Sequence, residues 1–287
     1  MTFPCLGPLT EFAPTEFEMP PGSTDTHSHV IGLPPEYPFV PERAYTPPEA
    51  PLAAYQAMHR ALGIERAVIV TPSCHGTDNR ITLEAIAGYG PNARGIAVVD
   101  EDIADTDLQS LHDGGMRGLR LNVLFGGGVG LQAFRPLAER IKPLGWHIQL
   151  LIDVTQNLEA LVPDIRAMGV PVVIDHMGHF PVAVGLDNAG CRAMLDLVRD
   201  GIAWVKLSGC DRISDKHPAY MDAVPLAQAL IEAGPGRMVW GTDWPHVSKA
   251  GNMPDTGMLL NRLLDYVPDA AMRKAILVDN PARLYGF

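Results

Sequence analysis

Short runs rich in Val, Ile and Leu alternate with longer amphipathic segments eight times along the chain. The runs are Ser23–Ile31, Ala67–Thr71, Gly95–Val99, Gly118–Asn122, His147–Ile152, Pro171–Asp175, Ala203–Ser208 and Met238–Thr242. They show little polar alternation, as expected of strands covered on both faces, where neither side meets water. The segments between them read as helices: Pro51–Leu62, Arg80–Gly88, Ala104–Asp113, Leu131–Pro143, Leu158–Met168, Cys191–Arg199 and Ala219–Ala233. A last one, Met258–Tyr266, is followed by Ala270–Leu277. Gly63, Gly145, Gly169 and Gly201 each stand just past an apolar stripe, where a residue free to turn left-handed ends a helix.

Strict strand–helix alternation predicts a parallel sheet, and eight units favour closure into a single α/β domain, a (β/α)8 TIM barrel. A doubly wound open sheet is the alternative. Residues 1–22 read as an N-terminal extension and residues 23–287 as the barrel. The Pro-rich stretch Pro34–Pro51 reads as a long loop over the barrel mouth, and the Gly126–Gly128 run as a flexible loop near it.

Composition narrows the function. With 287 residues, 47% hydrophobic and 19% charged, the chain can bury a core without disulfides. Its four cysteines stand singly, so they read as reduced thiols of a cytoplasmic protein. The first 22 residues hold neither a basic start nor an apolar run, and no stretch is long and apolar enough for a membrane span. A formal net charge of −11 argues against nucleic acid. It also means that a small anionic substrate needs local arginines to overcome the overall field.

The chemistry-bearing residues fall at strand ends, where a barrel places its active site. The first strand ends in Asp25-Thr26-His27-Ser28-His29, and alternation points His27 and His29 the same way. The sixth ends in Asp175-His176-Met177-Gly178-His179, and the eighth in Gly241-Thr242-Asp243-Trp244-Pro245-His246. Taken singly, a strand-end histidine is more often a hydrogen-bonded structural residue, and Asp243 also reads as a helix cap or turn former. Together they describe a hydrolytic site, with Asp243 taking a proton from water while the imidazoles hold the electrophile. Arg120 after the fourth strand and Arg212 after the seventh either clamp a carboxylate or pair with Asp211 or Asp243. Pro72-Ser73-Cys74-His75-Gly76 adds a hydroxyl and an imidazole, Cys74 itself reading as a small buried thiol.

These motifs resemble the amidohydrolase superfamily, and within it the branch of the 2-pyrone-4,6-dicarboxylate lactonases, from Asp25 to Phe287. The most specific stretches are Phe39-Val40-Pro41-Glu42-Arg43-Ala44-Tyr45-Thr46-Pro47, Cys74-His75-Gly76-Thr77-Asp78-Asn79-Arg80, the two strand-end motifs above and Asn280-Pro281-Ala282-Arg283-Leu284-Tyr285. The resemblance implies Asp243 as general base for water, with His27, His29 and His176 around the scissile carbonyl. It implies Tyr45, Ser73, Arg120 and Arg212 as contacts to substrate carboxylates, with His75 and His179 nearby at the mouth. The branch's further arginines fall here at Gly126 and His179, which points to a lactone with fewer or differently placed anionic groups. No lysine ends the fifth strand, Leu151-Ile152-Asp153, to bridge two metal ions.

The expected activity is therefore the opening of a small carboxylated lactone of the pyrone or muconolactone kind, in aromatic catabolism. The alternative is a metal-dependent decarboxylase of an aromatic or unsaturated acid. A single divalent ion, Zn²⁺ by preference, fits His27, His29, His176 and Asp243; metal-free catalysis is the other possibility.

Overall fold

The computed structural model describes residues 2–287. The eight apolar runs form eight parallel strands: β1 (Thr24–Ser28), β2 (Arg66–Val70), β3 (Ala93–Ala97), β4 (Met116–Asn122), β5 (His147–Leu151), β6 (Val172–Ile174), β7 (Ala203–Lys206) and β8 (Met238–Val239). They pair in chain order from β1 to β8, so each strand's spatial neighbour is its neighbour in sequence. The seam is sewn by other means than a full ladder. Thr26 donates its backbone N–H to the Trp240 carbonyl at 3.0 Å, and Asp243 donates to the His27 carbonyl at 2.7 Å. Gly241 makes this closure possible, because a Cβ there would stand 2.5 Å from the His27 nitrogen. The barrel is thus closed, and the open-sheet alternative falls away.

Helices cover the outside with their apolar faces. In Phe134–Ile141, the buried side chains Phe134, Leu137, Ala138 and Ile141 follow the three-and-four spacing of one helix face. Two helices begin earlier than the apolar pattern predicts, because polar caps set their starts. Asp153 accepts from Thr155 N and opens Val154–Met168, and Asn188 accepts from Gly190 N and opens Ala189–Arg199. Another begins later: in Val224–Ala233 a proline sits in the first turn, where its fixed φ suits a helix start. Gly63, Gly145, Gly169 and Gly201 all adopt positive φ, as their positions past the helices require. No helix among the described residues is long and apolar enough to cross a membrane.

The loop after β1 does lie over the mouth. Its Val40 N–H binds the Cys74 carbonyl at 2.9 Å, and Tyr45–Thr46 pairs with Phe3–Pro4. The glycine run Gly126–Gly128 lies at the mouth as expected but is packed tightly rather than left loose. A Cβ on Gly126 would stand 2.1 Å from the Glu42 carbonyl oxygen, so no side chain fits at this position.

Candidate active site

The end of β1, the turn after β6 and the turn after β8 bring His27, His29, His176 and Asp243 together at one mouth. The His27 and His176 ring centroids are 4.5 Å apart, and those of His27 and His29 5.2 Å. Asp243 Oδ1 lies 3.8 Å from His27 Nε2 and 3.6 Å from His176 Nε2. Neither Asp243 Oδ1 nor His27 Nε2 has a hydrogen-bond partner, although both are buried. Asp243 and His176 hold positive φ, 61° and 51°, which non-glycine residues rarely adopt and which clusters at functional sites.

Each imidazole is oriented from behind. His29 Nδ1 lies 2.7 Å from the Val70 carbonyl oxygen, and His27 Nδ1 lies 3.2 Å from Asp175 Oδ1. The carbonyl only accepts, so the His29 ring carries its proton on Nδ1 and presents the Nε2 lone pair to the mouth; His27 Nδ1 lies 3.2 Å from the Lys206 ammonium as well as from the carboxylate, a donor and an acceptor together. His176 Nδ1 meets the Ser208 hydroxyl at 2.9 Å, a group that can donate or accept. Burial pushes His29 and His176 well below the ordinary imidazole value. It lowers His27 as well, although Asp175 pulls that ring back up. For Asp243, burial raises the pKa, yet the Arg212 guanidinium together with His176, His27 and His246 outweighs it and holds the carboxyl well below the usual range.

Arg212 is fully engaged in this arrangement. Its Nε donates to Asp243 Oδ2, and both terminal nitrogens reach the Val247 carbonyl at 3.2 Å. Of the two readings open for this arginine, the structure shows the ion pair. Arg120 is 5% exposed, lies 3.5 Å from Asp175 Oδ2, and its Nε has no hydrogen-bond partner. Tyr45 is buried, with its hydroxyl 3.4 Å from Ser73 Oγ. Burial pushes that phenol up, and Arg120 and Arg212 pull it partly back, as expected of a group facing both. His179 stacks edge-on to His176 at 5.9 Å and is lowered by burial to about 4. His75 turns away from the centre, with Nδ1 3.3 Å from the Pro38 carbonyl and its ring against Phe39. Cys74 is buried and its thiol is pushed up by burial to about 12, so it is no nucleophile.

Residues 24–287 match the family model described as amidohydrolase. The chain is 39% identical to a 4-sulfomuconolactone hydrolase of Hydrogenophaga intermedia, over 98% of this chain and 94% of that protein. It is likewise 39% identical to a 2-pyrone-4,6-dicarboxylate hydrolase of Comamonas testosteroni, over 94% and 92%. A ligand-free crystal structure from Agrobacterium tumefaciens superposes with a TM-score of 0.86 at 30% identity, covering 96% of this chain and 99% of that one. The chain belongs to the amidohydrolase family.

This amidohydrolase builds its site on residues the sequence reading left without a role. Asp175, Gln149 and Lys206 lie fully buried beneath the mouth, and Ser208 stands behind His176. A signal for them existed: Gln149 and Lys206 are polar residues inside otherwise apolar strands covered on both faces. Nor does Asp153 serve the centre; its carboxylate caps a helix.

Two donor groups have the spacing to hold an ion: His27, His29 and Asp243, or His27, Asp175 and His176, with ligand atoms within 4.8 Å of one another. The first fits. Its His29 lone pair, the unpartnered His27 Nε2 and the unpartnered Asp243 Oδ1 converge, and His29 donates its other N–H to the Val70 carbonyl behind it. The second set fits poorly, because Asp175 is already paired with the Lys206 ammonium at 3.4 Å.

Proposed function

We propose that this amidohydrolase opens a small lactone bearing a carboxylate or sulfonate, by attack of water on the ring carbonyl. The observation that carries this reading is Asp243. One of its oxygens is bound by Arg212, and the other is buried, unpartnered and directed at the histidine nitrogens. That is the placement of a base rather than of a structural carboxylate. The two relatives named as lactone hydrolases support the substrate class; nothing in them supports a decarboxylase.

Asp243 Oδ1 takes one proton of water as the water oxygen bonds to the carbonyl carbon. The acyl C–O bond to the ring oxygen then breaks, and Asp243 returns the proton to that leaving oxygen. The product is an open-chain acid. Arg212 fixes the Asp243 carboxylate in its ionised form and leaves Oδ1 free. His27, His29 and Asp243 would hold a single divalent ion, Zn²⁺ by preference, which supplies Lewis-acid polarisation of the carbonyl when bound. His176, whose tautomer Ser208 leaves open, can present an N–H to the developing oxyanion. Arg120, with Tyr45 and Ser73, binds the anionic substituent. His179 lines the same mouth as a neutral group. Pyrone and muconolactone acids of aromatic breakdown have this chemistry.

The test is turnover of a panel of neutral and anionic lactones, followed with a pH indicator, with and without chelator. Acid release without CO₂ from anionic lactones is the expected result. Release of CO₂ would replace the reading with decarboxylation, and full activity at negligible metal content would leave the histidines as direct partners of the carbonyl.

A further inference from the structure

The segment Phe3–Leu6 is a strap between two loops of the mouth. On one side Phe3–Pro4 pairs with Tyr45–Thr46, and Cys5 N–H binds the Thr46 carbonyl at 2.9 Å. On the other, Leu6 N–H binds the Lys249 carbonyl at 2.9 Å, and Ser248 N–H binds Cys5 Sγ at 3.2 Å. This second loop carries Asp243. Asp243, His246 and Ser248 hold positive φ of 61°, 59° and 66°, a conformation that non-glycine residues keep only where neighbours impose it. Val247 presents its carbonyl to both terminal nitrogens of Arg212 at 3.2 Å, and Arg212 Nε donates to Asp243. Side chains hold the loop as well: Lys249 Nζ lies 2.8 Å from both the Asp211 carbonyl and Asp211 Oδ2, and His246 Nε2 lies 2.9 Å from Thr256 Oγ1. The backbone at Ser248 and Lys249, next to the carbonyl that Arg212 uses, is held by the strap.

We propose that Cys5 and Leu6 are positioning residues for the base: by holding Ser248 and Lys249 they keep the Val247 carbonyl on Arg212, and through Arg212 they aim Asp243. The inference rests on the reading of Asp243 given above. Leu6 acts through its backbone alone, since its side chain is 46% exposed. The strap also joins the two halves of the mouth. Its other edge pairs with Tyr45, whose hydroxyl stands 3.4 Å from Ser73 Oγ on the side that takes the anionic substituent. Base and anion subsite are thus set against one another by four residues that touch neither the water nor the lactone.

Three single substitutions separate this role from packing. Cys5→Ala removes the acceptor of Ser248 N–H, and Leu6→Pro removes the N–H that holds Lys249. Cys5→Ser keeps an acceptor in nearly the same place. The rest of the arm stays anchored in all three, with Ala13 N–H on the Asp255 carboxylate at 3.0 Å and Glu16 N–H on Asn261 Oδ1 at 3.0 Å. Steady-state kinetics on an anionic lactone are read beside a thermal melt, and exchange of the Arg212 Nε–H with water is read by NMR. In Cys5→Ala and Leu6→Pro, kcat should fall by about 10- to 100-fold, the upper figure being the cost of a misplacement of about 1 Å. KM should change little, because Arg120 and Ser73 are untouched, and the Arg212 Nε–H should exchange faster. Cys5→Ser should match the wild type in all three. Wild-type kcat and slow Nε–H exchange in both disrupting variants overturn the proposal, and so does an equal loss in Cys5→Ser. Should the wild type open no lactone, the reading of Asp243 fails. The Nε–H exchange then decides the strap alone: faster exchange in Cys5→Ala and Leu6→Pro but not in Cys5→Ser supports it, and equal rates remove it.

Discussion

Asp25 and Asp243 are two buried carboxylates on the two sides of the barrel seam, and their surroundings are opposite. Asp25 Oδ1 accepts from Thr242 N at 2.8 Å and His27 N at 3.1 Å. Its Oδ2 meets the Thr242 hydroxyl at 2.6 Å, the Tyr55 hydroxyl at 3.0 Å and His59 Nε2 at 3.2 Å. Five contacts saturate it, and together they tie β1 to the residues after β8 and to the helix Leu52–Leu62. Asp243 receives one side-chain hydrogen bond, from Arg212, and keeps the other oxygen bare. Leaving a buried acceptor without a partner costs about 1–3 kcal/mol, so its persistence beside a saturated carboxylate marks where the protein keeps a position for something else. Burial alone would not have told the two apart; the difference lies in what each has left to bind.

The largest effect expected from this contrast is on catalysis. Asp243→Asn keeps the shape and removes the base, so kcat should fall by about 10²- to 10⁴-fold with the fold intact. Steady-state kinetics beside a thermal melt measures both. A variant that keeps most of its kcat would strip Asp243 of the role and make the bare oxygen an oddity of packing. Next comes Arg120, the arginine whose Nε hydrogen bond is unmade. Arg120→Met should lower kcat/KM for an anionic lactone by about 10- to 150-fold, the worth of one charged hydrogen bond, and leave a neutral lactone nearly untouched. Equal losses for both substrates would show that Arg120 serves Asp175 instead. The mirror experiment is Asp25→Asn, which leaves at least one of the clustered donors without an acceptor. It should cost about 1–3 kcal/mol in urea unfolding, with a smaller effect on kcat/KM than either mouth variant. A stable Asp25→Asn protein without activity would erase the distinction between the two carboxylates.

The barrel was largely legible in the sequence because its strands are covered on both faces and its helices carry one apolar stripe each. Strand-end positions then singled out His27, His29, His176 and Asp243, since alternation along β1 fixes which way His27 and His29 point. What the sequence left open depends on distances between strands. Whether Arg212 holds a substrate or Asp243 is decided by a reach of 31 residues along the chain, and Lys206 meets Asp175 because β6 and β7 pair with Ile174 beside Val205. The helix starts at Val154 and Ala189 were missed for a local reason: capping by Asp153 and Asn188 acts before the apolar stripe begins. Gly126 is the converse case. Its identity is plain in the sequence, but only the Glu42 carbonyl beside it shows that a side chain is excluded.

The smallest effect per step, and the one that probes the whole mouth, is the response to pH. Burial holds His27, His29 and His176 below their ordinary value, lowers His179 to about 4, and lowers His147, deeper in the barrel, to about 3. In the unfolded chain these rings titrate near about 6.5. Between the folded values and that pH the unfolded chain binds more protons than the folded one, so stability rises with pH across the window and is lost as acid is added. The two depressed carboxylates, Asp175 and Asp243, add to this lower down. Their contribution is complete above an unfolded value of about 3.9 and disappears as pH falls through the folded values. The urea midpoint should therefore decline from about pH 6.5 downward, before any carboxylate titrates in the unfolded chain. Activity should behave differently over the same range. With the imidazoles neutral and Asp243 ionised, kcat/KM measured on folded protein should show no limb near about pH 6.5. A limb there, removed by His176→Asn, would mean that His176 works as a charged donor in the free enzyme. The carbonyl would then be polarised by an imidazolium, and the lone pair of His29 would need a different purpose from the one its hydrogen bond suggests.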